Sequence, residues 1–383
     1  MSAPETAAVM NALGGSDMAR FVGGCVRNAL LGKEVVDIDI ATRHKPEEVM
    51  QKLREQNIKV IPTGIDHGTV TAVVNKKHFE ITTLRHDVET DGRRATVAYT
   101  DDWLEDAKRR DFTMNTLLAD DQGNIYDPTG DGLNDLRARR VVFVGAPEKR
   151  IAEDYLRILR LFRFHVFYGR GDIDSKALKA CANAAGKIET LSKERITQEF
   201  FKILSADKPH EILNVMFEHN VLSQLNFQDY DAELMEHACE FQSRYSLGFI
   251  ASRLLVLCAM NASNVKAAQT FLLVPKVFQK DMVAISNVLS LPDLDNDHAV
   301  KVAIYKYGRV PTAQALMIEL ANDRVMNGYA PKALDIVQNW DIPSFPISGQ
   351  DLMDKGLKPS PELGAELDRL ESEWIDSGFS NPT

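Results

Sequence analysis

The first third of the chain is dominated by short apolar runs and apolar–polar alternation. Arg20-Phe21-Val22 reads as a buried strand, Gly23-Gly24 as a tight turn, and residues 25–31 as a short helix closed by Gly32. Val36-Asp37-Ile38-Asp39-Ile40 alternates strictly, which predicts a strand with both aspartates on one face and Ile38 and Ile40 anchored in a core. A helix near residues 46–56 follows. Residues 69–74 and 78–83 alternate again around Asn75-Lys76-Lys77, which predicts a hairpin beside the aspartate strand. Residues 85–108 are polar, highly charged and without period, and read as a long mobile loop. Ile125 to Gly130 reads as a turn.

From Val141 onward the period becomes helical, and a break at Gly145-Ala146-Pro147-Glu148 marks the join. Helices are expected over 150–167, 175–185, 193–204, 209–219, 234–241, 251–260 and 265–272. At 383 residues the chain is too long for one ordinary core, so at least two domains are expected. Its 44% hydrophobic and 26% charged composition is that of a globular protein. There is no apolar run of membrane-spanning length and no basic-then-apolar leader in the first ten residues, so a cytoplasmic location and no membrane partner are expected. Cys25, Cys181, Cys239 and Cys258 match no zinc spacing and are read as reduced and structural.

The net charge of −10 argues against indiscriminate nucleic-acid binding, yet the charge is unevenly spread. Residues 137–170 hold nine Lys or Arg against three Asp or Glu, while 351–383 hold eight acidic residues against three basic. A local basic surface can therefore bind phosphates on an acidic protein.

Asp37 and Asp39 are the candidate reaction centre. Two carboxylates on one face of a strand can hold divalent ions that activate a hydroxyl and neutralise a transferring phosphoryl group, and magnesium suits all-oxygen ligation. The same pattern also describes a solvated strand edge. Gly24 lets a triphosphate approach the backbone, and Arg27 can donate charge-assisted hydrogen bonds to it or form a surface salt bridge. Glu80, between Phe79 and Ile81, is either a third carboxylate of the site or an exposed strand residue. Lys108-Arg109-Arg110 is a cationic cluster that holds phosphates or is simply solvated.

Glu153 to Arg163 reads as a helix that buries Tyr155, Ile158, Leu159 and Phe162 with Val166. Its polar side carries Glu153, Arg157 and Arg160, flanked by Asp154 and Arg163. This is either an ordinary ion-paired surface or a base-reading face. An Asp accepts from an exocyclic amino group while an Arg donates to a ring nitrogen, so Asp154 and Arg157 together suit cytosine and adenine and leave guanine and uracil mispaired.

Gly23-Gly24-x-Val26-Arg27, Asp37-x-Asp39, Arg109-Arg110-Asp111-Phe112-Thr113-x-Asn115 and Glu153-Asp154-x-x-Arg157-x-x-Arg160 occur in the order and spacing of class II CCA-adding tRNA nucleotidyltransferases and the related poly(A) polymerases, which the chain resembles. The resemblance is close over the first 170 residues and returns at Ser348-Gly349-x-Asp351-Leu352, Gly356 and 359–364. It implies an α+β fold: a polymerase-β-like nucleotidyltransferase head of mixed sheet and helices at 1–140, a helical neck at 141–205 that recognises the nucleotide, and a helical body and tail at 206–383 that bind tRNA. It implies template-independent addition of C, C and A to the tRNA 3′ acceptor end from CTP and ATP, with Mg2+ on Asp37 and Asp39. Gly24, Arg27, Arg110, Asp154, Arg157, Arg160 and Arg163 would bind the nucleotide, and no protein partner is implied. Poly(A) polymerase, a CC-only or A-only enzyme, and a silent tRNA-binding protein are the rival readings. Asn28 stands where the family usually has Asp, and Ser360 where Gly is common.

Overall fold

A computed structural model describes residues 1–87, 97–245, 250–291, 294–323 and 328–380. The chain divides into two compact units, Met1–Leu191 and Ser192–Thr383.

The first unit opens with helix α1 (Pro4–Ala12), strand β1 (Ala19–Val22), helix α2 (Gly24–Leu30) and strand β2 (Ile38–Thr42). Helix α3 (Pro46–Glu55) leads into β3 (Lys59–Gly64), β4 (Thr69–Val74) and β5 (Lys77–Thr83). With β8 (Leu118–Ala119) and β9 (Ile125–Tyr126), these strands form a mixed sheet in the order β3-β4-β5-β2-β1-β8-β9. Only β2 and β5 pair in parallel; the other neighbours are antiparallel. Alternation decides which side of each strand is buried: Phe21, Ile40, Phe79 and Ile81 are almost wholly enclosed. The hairpin forms where expected, with a two-residue turn. Asn75 and Lys76 both take positive φ, 49° and 65°, the left-handed geometry that matches strand twist, so Lys77 already belongs to β5.

The expected loop over 85–108 is only partly a loop. A two-stranded ribbon, β6 (Arg85–Asp87) and β7 (Val97–Tyr99), and the helix α4 (Trp103–Lys108) occupy its two ends. Asp102 caps α4 by accepting from the Leu104 N–H at 2.8 Å, and the helix buries Trp103 and Ala107. Six residues are too few to show a helical period in sequence. The centre of that expected loop lies outside the described residues.

Helices α5 (Gly132–Arg137), α6 (Pro147–Glu153), α7 (Leu156–Tyr168) and α8 (Ser175–Ala184) complete the unit. The continuous helix expected over 150–167 is broken. Asp154 is extended, at φ −155° and ψ 105°, and its Oδ1 accepts from the Leu156 N–H at 3.1 Å. An aspartate that caps the next helix in this way competes with continuation of the previous one. Ile158, Leu159 and Phe162 are buried as expected; Leu156, Leu161 and Phe164 join them, whereas Tyr155 and Val166 are half-buried.

The second unit is helical throughout its described residues: α9 (Lys193–Leu204), α10 (Pro209–Glu218), α11 (Ala232–Arg244), α12 (Ile250–Leu257), α13 (Ala262–Phe271), α14 (Lys276–Leu289), α15 (Asp297–Tyr307), α16 (Arg309–Ala321), α17 (Ala330–Asn339), α18 (Gly349–Asp354) and α19 (Pro361–Asp376). Helix α16 is apolar around most of its circumference, and α11, α14, α15 and α17 enclose it. Ser348 and Asp351 form a capping box on α18. The expected α+β start and all-helical remainder are both present. Among the described residues no helix is long and apolar enough to cross a membrane. All four cysteines are free and buried.

Candidate active site

Asp39 lies in β2 and Asp37 immediately precedes it; Asp39 is half-buried and Asp37 exposed. The parallel ladder sets Asp39 directly beside Glu80 of β5, and paired residues of adjacent strands project to one face. Glu80 therefore stands next to the aspartates, as an exposed neighbour. Burial raises the Asp39 carboxyl above its ordinary 3.8, and the Glu80 and Asp37 charges raise it further, against the pull of Arg110 and Arg27. Such a crowd of incompletely compensated carboxylates suits a hard divalent cation. Among the described residues no set of three or more His, Cys, Asp or Glu side chains is arranged around a metal position. A cation here would take one or two carboxylates from the chain and the rest of its shell from phosphate and water, which is how magnesium is commonly held.

The turn before α2 lies against two arginines. Gly23 has φ 71° and ψ −123°, a conformation for glycine alone, and a Cβ built there would stand 3.7 Å from Arg110 Nη1. A Cβ on Gly24 would stand 3.6 Å from Arg27 Nη2. Arg27 is no surface residue: only 7% is exposed. It donates to Asn115 Oδ1, to the Tyr168 hydroxyl at 2.9 Å and to Asn28 Oδ1 at 3.2 Å, and its guanidinium lies 4.1 Å from the Tyr168 ring centre. Its Nε–H is buried with no hydrogen-bond partner among the described residues. Burial lowers its pKa. The surface salt bridge left open for Arg27 is not what forms.

Arg109 and Arg110 do not form a solvated charge cluster either. Asp106, which is 2% exposed, accepts from Arg110 Nη2 at 2.8 Å and from Arg109 Nη2 at 2.6 Å. Asp111, 8% exposed, takes a two-pronged contact from Arg160 Nε and Nη2 and a 2.8 Å hydrogen bond from Asn115 Nδ2. Burial opposes the charge on both aspartates, yet their arginine neighbours hold both carboxyls below 3.8. Arg150 and Arg157 donate to the backbone carbonyl of Arg109, and Arg150 also to that of Arg110. The segment 109–115 is thus the hub joining the glycine turn to α6 and α7, and Phe112 packs against Phe143 and Phe164 to hold it there.

Of the residues picked from the sequence, Gly24, Arg27, Arg110 and Asp39 gather at the turn, with Asp37 at the end of the aspartate strand. Arg160 joins them through Asp111, Asn115 and Arg27. Arg157 pairs with Glu153 at 2.6 Å and donates to the Arg150 carbonyl at 2.7 Å. Three of its five N–H groups are thereby engaged. Asp154 sits at the break between α6 and α7, and Arg163 stacks 4.5 Å from the centre of the Phe164 ring. Sequence reasoning gave no role to Asp106, Asn115, Tyr168 or Arg150. Asn115 stood in the quoted motif without a role, and Asp106 left a signal of its own, three and four residues before two arginines at helical spacing.

Two family models match: the poly A polymerase head domain over residues 19–142 and the probable RNA and SrmB-binding site of polymerase A over 172–230. The mouse CCA tRNA nucleotidyltransferase 1, mitochondrial, is 33% identical over 372 residues, covering 94% of this chain and 83% of its own. The CCA-adding enzyme of Lactococcus lactis subsp. cremoris (strain MG1363) is 34% identical, covering 95% and 89%. The crystal structure of the Bacillus stearothermophilus CCA-adding enzyme in complex with CTP is similar with a TM-score of 0.75 at 25% identity, covering 98% of this chain and 93% of that one.

Proposed function

Because the chain belongs to the family of CCA tRNA nucleotidyltransferases, we propose that it adds C, C and A to the 3′ end of tRNA from CTP and ATP without a nucleic-acid template. The observation that carries this reading is the meeting of the Asp37–Asp39 carboxylates, the Gly23-Gly24 turn and Arg110 in one place. The tRNA 3′ hydroxyl attacks the α-phosphorus in line, a new phosphodiester bond forms, and pyrophosphate leaves. Asp37 and Asp39 would hold Mg2+, which supplies charge neutralisation and a more acidic attacking hydroxyl. Gly23 and Gly24 leave room for the triphosphate, and Arg110 offers it a positive charge. The buried Arg27 places its positive charge beside the turn and fixes it through Asn115 and Tyr168. These contributions are positioning and electrostatics, the main demands of phosphoryl transfer.

In this reading Asp154 and Arg157 read the base edge, Arg157 with the N–H groups that Glu153 and the carbonyls leave over. Arg160 and Arg163 support the nucleotide from the same helix. Residues 1–140 serve as the catalytic head, 141–205 as the recognition neck and 206–383 as the tRNA-binding body and tail. A cytoplasmic location belongs to the same proposal; the mouse relative is named mitochondrial, and cell fractionation separates the two compartments. The Asp37→Ala and Asp39→Ala variants should lose nucleotide addition while still binding tRNA. Near-normal turnover in either one would refute the role given to the carboxylates.

A further inference from the structure

We propose that Asp106 is a positioning residue of the nucleotide site: its buried carboxylate holds the guanidinium of Arg110 in the one orientation that turns Nη1 toward the Gly23-Gly24 turn. The inference rests on the reading of Arg110 as a nucleotide-binding residue. Asp106 Oδ2 accepts from Arg110 Nε at 3.2 Å and Nη2 at 2.8 Å. This fork uses one edge of the planar group and leaves Nη1 on the other, where it faces Gly23. Oδ1 is equally committed. It accepts from Arg109 Nε at 2.8 Å and Nη2 at 2.6 Å and from the Arg85 N–H at 3.3 Å.

Arg109 also donates from Nε to the Arg85 carbonyl at 3.1 Å, so the cluster is fixed at its far side to the start of β6. Arg109 and Arg110 are mostly enclosed, with 16% and 19% of their side chains exposed, and they repel each other. One carboxylate between them makes this arrangement tolerable. Without that charge the Arg110 side chain is drawn to the carboxylate it already senses, Asp39. It would then neutralise the group that should face the cation and leave the triphosphate without its donor.

The test is equilibrium binding of CTP alone to the full chain, in wild type, Asp106→Asn, Arg110→Ala and the double variant, with circular dichroism and melting of each protein. Asn keeps the shape of Asp106 and removes its charge. The expected result is CTP affinity weakened about tenfold or more in Asp106→Asn and in Arg110→Ala, with the double variant no weaker than Arg110→Ala. Weakening in Arg110→Ala with unchanged affinity in Asp106→Asn would overturn the positioning role and leave the nucleotide reading standing. Losses that add in the double variant would also overturn it, because Asp106 would then act by another route. Unchanged affinity in Arg110→Ala would sink the nucleotide reading of Arg110 and this inference with it. Should Asp106→Asn fail to fold, Asp106→Glu retains the charge one methylene further out. An intermediate loss of affinity in a folded protein supports the inference, and wild-type affinity contradicts it.

Discussion

Replacing Asp39 with Asn should separate stability from activity. Asp39 stands opposite Glu80 in the parallel ladder, with Asp37 two residues away, and its carboxyl is raised by burial and by those charges. Two unit charges about 6 Å apart at an effective dielectric of about 20 repel by about 3 kcal/mol. Glu80 is exposed, so screening brings the figure toward the 0.2–1 kcal/mol of about a typical like-charge cross-strand pair. The amide removes that repulsion. With chelator present, Asp39→Asn should therefore melt at the wild-type temperature or up to about 4 °C above it. With Mg2+ added, wild type should gain about 1.4 kcal/mol at a free concentration about ten times its dissociation constant, and the variant distinctly less. Nucleotide addition should fall at least about a hundredfold. The assays are calorimetric melting in chelator and in Mg2+, and single-turnover extension. A variant that melts several degrees lower in chelator would show that the Asp39 carboxylate makes stabilising native contacts, and the reasoning would fail.

Three further outcomes follow from the same geometry. Asp111→Ala strips Arg160 and Asn115 of their shared partner in a mostly enclosed setting and should cost about 2–4 kcal/mol in urea unfolding, discounted for the partial exposure of Arg160; a loss below about 0.5 kcal/mol would remove Asp111 from the hub. Because Asp106 and Asp111 have carboxyls held below 3.8, the stability they contribute is present above that pH and is lost as the pH falls through their lowered values. Asp106→Asn and Asp111→Asn should accordingly flatten the acid limb of the stability profile below about pH 4, and an unchanged limb would contradict this. Asp154→Ala and Arg157→Ala should relax the choice of nucleotide, admitting GTP and UTP about ten to a hundred times more often relative to CTP and ATP; undiminished discrimination in both would defeat base reading by this pair.

The fold was largely legible because its signals are local. Period two gave the hairpin and the buried side of Ile40 but set β2 two residues early, at 36–40 rather than Ile38–Thr42, so that Asp37 lies just outside the strand and Ile38 is half-buried instead of anchored in the core. The helical period placed α8, α9 and α10 to within a residue at each end. The break at Asp154 was not legible. The hydrophobic face runs on through it, and only the side chain's choice to cap Leu156 ends α6. The site was half legible. Aspartates at alternate positions and paired glycines are short-range marks, whereas the burial of Arg27 depends on Asn115, 88 residues away, and on Tyr168, 141 residues away. The segment 109–115 and the helices α6 and α7 meet through the backbone carbonyls of residues 109 and 110, which no side-chain pattern announces.

One measurement tests the proposed function most directly. The purified protein is given tRNA ending before its terminal CCA, with Mg2+ and all four nucleoside triphosphates, and the 3′ ends of the products are sequenced. The account predicts that C, C and A are added and that extension then stops, with CTP alone giving two cytidines. A long run of A would instead make the chain a poly(A) polymerase, CC or A alone a partial enzyme, and an unchanged 3′ end would contradict catalysis by Asp37 and Asp39 altogether.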